Sequence, residues 1–133
     1  MASIRIMIVE DELIIAEDIR IQLNALGYHV TGIAKTYEKA IELMESGLPD
    51  MMLVDIRLKG EKDGIELAEY IRKKYNLPLI FLTSHADKQT VERAKKVNPD
   101  GYLIKPYERE DLYTSIEIAF SNYLRSRVGK TES

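Results

Sequence analysis

Short apolar runs recur along the chain and mark the predicted strands. The four strongest runs are 6–9, 51–54, 79–82 and 102–104. Each run is apolar at successive positions, which is typical of strands buried on both faces of a parallel sheet. A weaker strand is predicted over 28–34. The pattern therefore predicts five short strands.

Helical periodicity fills the segments between these strands. The predicted helices cover about 15–26, 37–46, 64–75, 88–96 and 109–124. Gly27 supplies a C-terminal stop for the first helix, and Thr36 is the candidate N-cap of the second. The fourth helix offers only Val91, Ala94 and nearby Val97 for apolar contact. We therefore expect it to be the most loosely held helix.

A strand followed by a helix, repeated five times, predicts a mainly parallel sheet with right-handed crossovers and helices on both faces. This is a doubly wound α/β domain. The predicted domain covers 1–124. The segment 125–133 is predicted to be a C-terminal tail or the start of a linker to an effector domain.

The composition narrows the classes of function. The 133 residues are 45% hydrophobic, enough for one core, and the formal net charge is −3. The chain therefore lacks the basic excess that nucleic-acid binding requires. The chain has no cysteine, which excludes disulfides and thiolate chemistry, and no apolar stretch approaches the roughly 18 residues needed to cross a bilayer. We expect a cytoplasmic protein that contacts neither nucleic acid nor membrane.

Polar residues that carry chemistry follow the apolar runs. In a doubly wound sheet ligands bind outside the carboxyl ends of the strands, so these residues converge on one edge. They are Glu10-Asp11-Glu12, Asp55, Thr83-Ser84 and Lys105-Pro106. Taken singly, each has a simpler explanation as a helix entry, a turn, a cap or a surface charge. Their joint placement favours a functional site.

The acidic residues of this edge need a cation. Two carboxylates about 4 Å apart repel by roughly 4 kcal/mol at an effective dielectric constant near 20, which corresponds to about three pKa units. Oxygen ligands without histidine or cysteine suit Mg²⁺ better than zinc. Once a metal offsets the repulsion, a carboxylate can attack phosphorus, with Lys105 meeting the phosphoryl oxygens. Thr83 can then donate a hydrogen bond to the transferred group.

These residues resemble the motif of response regulator receiver domains of two-component signalling, over about residues 4–124. That family has an acidic pair after its first strand, an aspartate after the third, Thr or Ser after the fourth, Lys-Pro after the fifth and an aromatic residue just before that lysine. The matching residues are Glu10-Asp11, Asp55, Thr83, Lys105-Pro106 and Tyr102. The resemblance implies a five-stranded, CheY-like sheet of flavodoxin-like order 2-1-3-4-5 with five helices.

The resemblance also implies the chemistry. Asp55 would accept the phosphoryl group from a phosphohistidine of a sensor histidine kinase or a histidine phosphotransfer protein. Asp11 and Asp55 would ligate Mg²⁺ directly, the backbone carbonyl of Arg57 would join them, and Glu10 would act mainly through water. The Lys105-Pro106 bond would be cis. The domain would catalyse its own phosphorylation and dephosphorylation without being a turnover enzyme.

In that family phosphorylation remodels one face of the domain. Thr83 would move toward the phosphate and Tyr102 would turn inward, although Tyr102 could also be a simple core or edge-strand aromatic. The affected face, made by the fourth helix, fifth strand and fifth helix, would bind a partner or form a homodimer. Arg57 and His85 occupy two variable positions, and we hypothesise that they lengthen the life of the acyl phosphate by obstructing water.

Two other classes of protein fit less well. Phosphohydrolases of the haloacid-dehalogenase type carry a second acid two positions after the nucleophile, and here that position is Arg57. A flavodoxin-like cofactor binder would need a phosphate-cradling loop after the first strand. The acidic residues 10–12 would instead repel a cofactor phosphate.

Overall fold

A single parallel sheet organises the chain. The computed structural model describes residues 3–84 and 86–132. The strands are β1 Arg5–Val9, β2 His29–Ala34, β3 Met51–Asp55, β4 Leu79–Thr83 and β5 Gly101–Ile104. The helices are α1 Leu13–Ala25, α2 Tyr37–Ser46, α3 Gly64–Lys74, α4 Lys88–Val97 and α5 Arg109–Glu132. The sheet order β2-β1-β3-β4-β5 confirms the predicted doubly wound fold class.

The strands separate two hydrophobic layers. Successive side chains of a strand point to opposite faces, so Met7 and Val9 enter one layer while Ile6 and Ile8 enter the other. Helices α2, α3 and α4 cover the first layer, and α1 and α5 cover the second. Burial on both faces explains why the central strands are apolar at every position. The apolar runs were therefore a sound guide to β1, β3 and β4.

The edge strands depart from this pattern. Residues 101–103 of β5 are only partly buried, and Ile104 is 49% exposed. The prediction that this run is buried on both faces is wrong, because β5 pairs with β4 alone and has no strand on its other side. On the opposite edge, β2 is likewise mostly half-buried.

The helix ends follow from local signals. The side chain of Thr36 accepts a hydrogen bond of 3.1 Å from the backbone N–H of Lys39, which confirms the predicted N-cap of α2. Gly27 adopts a φ of 92° just after α1 and ends that helix as predicted. Helix α5 does not end near Leu124 but continues to Glu132. The predicted end rested on the apolar stripe, which marks only the part of the helix that packs against the sheet. A helix can continue beyond the surface that it packs on.

None of the described helices is both long enough and apolar enough to span a membrane.

A hydrogen bond joins the turn after α1 to the middle of α5. The hydroxyl of Tyr28, 8% exposed, donates to Oε2 of Glu117 over 2.6 Å. Burial and the neighbouring carboxylate of Glu117 raise the pKa of Tyr28 above its ordinary value of 10.0. The protonated hydroxyl is thus the form that the fold favours.

We expect Tyr28→Phe to lower the free energy of unfolding at pH 7 by about 1–2 kcal/mol, since it removes a hydrogen bond to a charged acceptor. A group whose pKa is raised by folding stabilises fully below its unfolded pKa and loses that contribution at higher pH. The stability of the wild type should therefore fall more steeply above pH 10 than that of Tyr28→Phe. Urea denaturation across pH 7–11 measures this, with Tyr37→Phe as the control, since Tyr37 packs against the other hydrophobic layer. Parallel pH profiles for all three proteins would contradict it.

Candidate functional site

Three charged side chains meet at the carboxyl edge of the sheet. The ammonium of Lys105, just after β5, lies 2.8 Å from Oε1 of Glu10 and 3.0 Å from Oδ2 of Asp55. Glu10 follows β1 and is 2% exposed, and Asp55 ends β3. These residues are far apart in sequence and are brought together because parallel strands end at the same edge. The bond Lys105-Pro106 is cis, as the resemblance implied.

Lys105 remains a cation in this setting. Burial by itself favours the neutral amine, but the hydrogen bonds and charges of Glu10 and Asp55 outweigh it and raise the pKa of Lys105. The carboxylates are in turn held by backbone donors. The N–H of Glu12 donates to Glu10 over 3.2 Å, and the N–H of Arg57 donates to Oδ1 of Asp55 over 3.1 Å.

Asp11 adds a further carboxyl group beside Glu10. Partial burial raises the pKa of Asp11, and the hydrogen bond and charge of Glu10 raise it further. The backbone N–H and the charge of Lys59 offset part of this effect. Burial first, and then the neighbouring carboxyl group of Glu10, impose a penalty on the ionised form of Asp11. An added cation would relieve it.

The donors that could hold a metal are all oxygen atoms. Within residues 3–84 and 86–132, no group of three Asp, Glu, His or Cys side chains is placed to hold a metal by itself. The predicted set of Asp11, Asp55 and the Arg57 carbonyl, with Glu10 behind them, relies instead on two direct carboxylates and a backbone oxygen. Such a set, completed by water, suits Mg²⁺.

The two predicted switch residues lie on β4 and β5. Thr83 is fully buried at the end of β4, beside the strand that ends in Asp55, and its carbonyl accepts a hydrogen bond of 2.8 Å from the N–H of Lys105. Tyr102 is half-buried and meets Phe81 edge to face, with ring centroids 6.2 Å apart. Burial, and then the charge of Asp87, raise the pKa of Tyr102. His85 lies outside the described residues.

Two residues near the site were missed by the sequence patterns. A Cβ atom built on Gly64 would lie 2.0 Å from the carbonyl oxygen of Asp55, so only glycine fits the start of α3. Tyr107 lies near enough to Lys105, Glu10 and Asp55 to be affected by their charges, and burial above all raises its pKa to about 12. The position of Tyr107 directly after Lys-Pro was the only available signal, whereas nothing in the sequence showed the contact of Gly64.

Comparisons with known proteins agree with this geometry. The family described as the response regulator receiver domain matches residues 6–117. The chain is 35% identical over 119 residues to the transcriptional regulatory protein PdtaR of Mycobacterium tuberculosis, covering 90% of this chain and 58% of that protein. It is 31% identical over 119 residues to the uncharacterised transcriptional regulatory protein YrkP of Bacillus subtilis, covering 90% and 50%. The chain thus spans half or slightly more of the length of these relatives.

Solved structures give the same result. The signal receiver domain of a modulated diguanylate cyclase from Desulfovibrio desulfuricans is 42% identical, with a TM-score of 0.88, covering 94% of this chain and 99% of that one. A CheY-like response regulator receiver domain protein from Methanospirillum hungatei is 25% identical, with a TM-score of 0.84 and the same coverage. The sheet order, the strand-end residues and these matches agree, and the chain belongs to the response regulator receiver domains of two-component signalling.

Proposed function

We propose that this receiver domain is a phosphorylation-controlled switch that accepts a phosphoryl group on Asp55. The donor would be the phosphohistidine of a sensor histidine kinase or of a histidine phosphotransfer protein in the cytoplasm. The observation that supports this most directly is the ammonium of Lys105, 3.0 Å from Oδ2 of Asp55. A cation at this distance from the acceptor oxygen can also meet the oxygens of an incoming phosphoryl group.

The transfer is a simple displacement at phosphorus. An Oδ atom of Asp55 attacks, a P–O bond forms, and the P–N bond to the donor imidazole breaks. The electron pair leaves with the imidazole nitrogen, which takes up a proton. Lys105 keeps its contact with Glu10 and gains one with a phosphoryl oxygen. Mg²⁺, held by Asp11, Asp55 and the Arg57 carbonyl with Glu10 acting through water, would supply further positive charge.

The same residues argue against a turnover hydrolase. A phosphohydrolase needs an acid near the nucleophile to protonate a leaving group, and the residue two positions after Asp55 is Arg57. Arg57 is exposed and cannot donate a proton at neutral pH. We infer that the domain catalyses only its own phosphorylation and slow dephosphorylation, as a signalling domain requires.

The output would pass through the face made by α4, β5 and α5. Thr83 would move to donate a hydrogen bond to the phosphoryl group, and the side chain of Tyr102 would then turn inward. The same face carries exposed apolar side chains, Ile104 on β5 and Ile118 on α5. Such residues suit a protein partner or a second copy of the domain. The segment 125–133 would continue α5 into a linker to an effector domain.

The test is uptake of phosphate from a small acyl phosphate. We expect the protein, incubated with acetyl phosphate and Mg²⁺, to gain the mass of one phosphoryl group and to lose it on treatment with hydroxylamine, which cleaves acyl phosphates. Chelation of Mg²⁺ should prevent the gain. Intact-protein mass spectrometry measures all three results. Failure to gain mass in a protein whose circular dichroism shows an intact fold would refute the proposal.

A further inference from the structure

Helix α4 is held firmly at its C-terminal end. The guanidinium of Arg72 on α3 donates from Nη1 to the carbonyl of Leu77 over 2.8 Å and from Nη2 to the carbonyl of Asn98 over 2.7 Å. Nη2 also bonds Oδ2 of Asp100 over 2.8 Å, and Nε reaches the carbonyl of Val97 over 3.4 Å. One side chain thus joins α3 to the last residue of α4 and to the approach to β5. We call this set of contacts the Arg72 clamp.

The clamp is largely shielded from water. The side chains of Arg72 and Asp100 are 20% and 21% exposed, and Oδ2 of Asp100 also accepts from the N–H of Leu79 over 2.8 Å. Val97 is buried beside it. Several charge-assisted hydrogen bonds in a poorly hydrated place resist opening together. The C-terminal end of α4 is therefore fixed to the rest of the domain.

The N-terminal half of α4 is held more weakly. Nη2 of Arg93 meets Oδ2 of Asp63 over 3.0 Å, with side chains 46% and 27% exposed. Thr90 is the only buried residue within 88–93. An exposed ion pair of this kind is a weak restraint. A cavity of about 420 Å³ lies between this half of α4 and the loop after β3, lined by residues including Ile56, Leu58 and Thr90.

The acidic partner of this ion pair is coupled to the phosphoacceptor. Asp63 caps α3 by accepting from the N–H of Glu66 over 2.9 Å. The next residue, Gly64, abuts the carbonyl oxygen of Asp55 and donates its N–H to the carbonyl of Ile56 over 2.7 Å. A shift of the backbone around Asp55 would therefore press on Gly64 and, through it, on the neighbouring Asp63.

We propose that α4 pivots about the Arg72 clamp, and that the ion pair between Asp63 and Arg93 is a latch that holds its N-terminal half in the unphosphorylated domain. The cavity gives the N-terminal half room to move. Because the Arg72 clamp holds the C-terminal end more strongly than the ion pair holds the N-terminal half, the N-terminal half is the part that moves. That phosphorylation opens the latch rests on the proposed function of Asp55, whereas the latch itself is a property of the unphosphorylated protein.

Amide hydrogen exchange, followed by NMR in the unphosphorylated protein, tests the latch. Arg93→Gln should speed exchange several-fold in 90–93, where the N–H groups are hydrogen-bonded, and leave 94–98 unchanged. Asp63→Asn should do the same, because asparagine still caps α3 but carries no charge. Lys96→Gln is the matched control, since Lys96 is exposed on the same helix and has no ion pair among the described residues. Exchange that is unchanged, that rises equally in both halves or that rises as much in Lys96→Gln would overturn the proposal.

A second measurement links the latch to phosphorylation. If phosphorylation opens the latch, removing the latch must favour phosphorylation by the same coupling. The phosphorylated fraction of Arg93→Gln at a limiting concentration of acetyl phosphate should correspond to an equilibrium constant about two- to fivefold above that of the wild type. An equal or lower value would refute the link. Absence of phosphorylation in every variant would refute the function of Asp55, and the exchange data would still decide on the latch.

Discussion

Asp55→Asn is expected to take up no phosphoryl group at all from acetyl phosphate and Mg²⁺. An amide oxygen is a poor nucleophile toward phosphorus, and the substitution removes one of the two charges that face Lys105. The fold should persist, because the amide oxygen can still accept from the N–H of Arg57, and Lys105 keeps its hydrogen bond to Glu10. Mass spectrometry of the intact protein gives the extent of phosphorylation, and thermal unfolding verifies the fold.

The matched control for this substitution is Asp18→Asn. Asp18 is exposed on α1 and accepts a hydrogen bond from the side chain of Gln22. The Asp18→Asn variant should be phosphorylated as fully as the wild type. If Asp55→Asn reproducibly gains a phosphoryl group that hydroxylamine removes, the acceptor is a residue other than Asp55.

Gly64→Ala is expected to have the largest effect of any single added methyl group described here. The new Cβ would lie 2.0 Å from the carbonyl oxygen of Asp55 and 2.9 Å from Cα of Ile56, both of them backbone atoms that cannot rotate away. Forcing them apart should cost about 3 kcal/mol of stability. Because the displaced backbone carries the carboxylate of Asp55, the proposed acceptor, the rate of phosphorylation should also fall by about 100-fold. Urea denaturation and the time course of phosphorylation measure the two effects.

Gly47→Ala provides the comparison. Nothing lies within 4 Å of a Cβ built on Gly47, and its φ of 171° is extended backbone that alanine adopts without strain. Stability should be unchanged or higher by a few tenths of a kcal/mol, since alanine restricts the unfolded chain. Phosphorylation should be unaffected. Equal behaviour of the two alanine variants would contradict the steric role of Gly64.

Much of the fold and of the charged site could be predicted because both depend on sequence-local signals. Buried parallel strands must be apolar at nearly every position, so β1, β3 and β4 appear as uninterrupted runs. The residues that follow such runs necessarily share an edge. Glu10, Asp55 and Lys105 could therefore be grouped before their distances were known, and the structure places the ammonium of Lys105 2.8 Å from Glu10 and 3.0 Å from Asp55.

Other features depend on contacts between distant segments, which no local pattern encodes. Arg72 looks like any basic residue near the end of a helix, yet it bonds groups as far away as Asp100. The need for glycine at position 64 arises only from the path of the chain past Asp55. The exposure of β5 follows from its place at the edge of the sheet rather than from its composition.

The arrangement around Lys105 has a consequence for which anions the site accepts. When Glu10, Asp11 and Asp55 are ionised, one ammonium among three carboxylates leaves an excess of two negative charges. Free inorganic phosphate, itself an anion, is then repelled from the strand ends, and a divalent cation restores electroneutrality before any phosphate group can approach. If Asp55 accepts a phosphoryl group as proposed, we therefore expect the domain to ignore free inorganic phosphate and to respond to a donor only when the divalent cation is already bound.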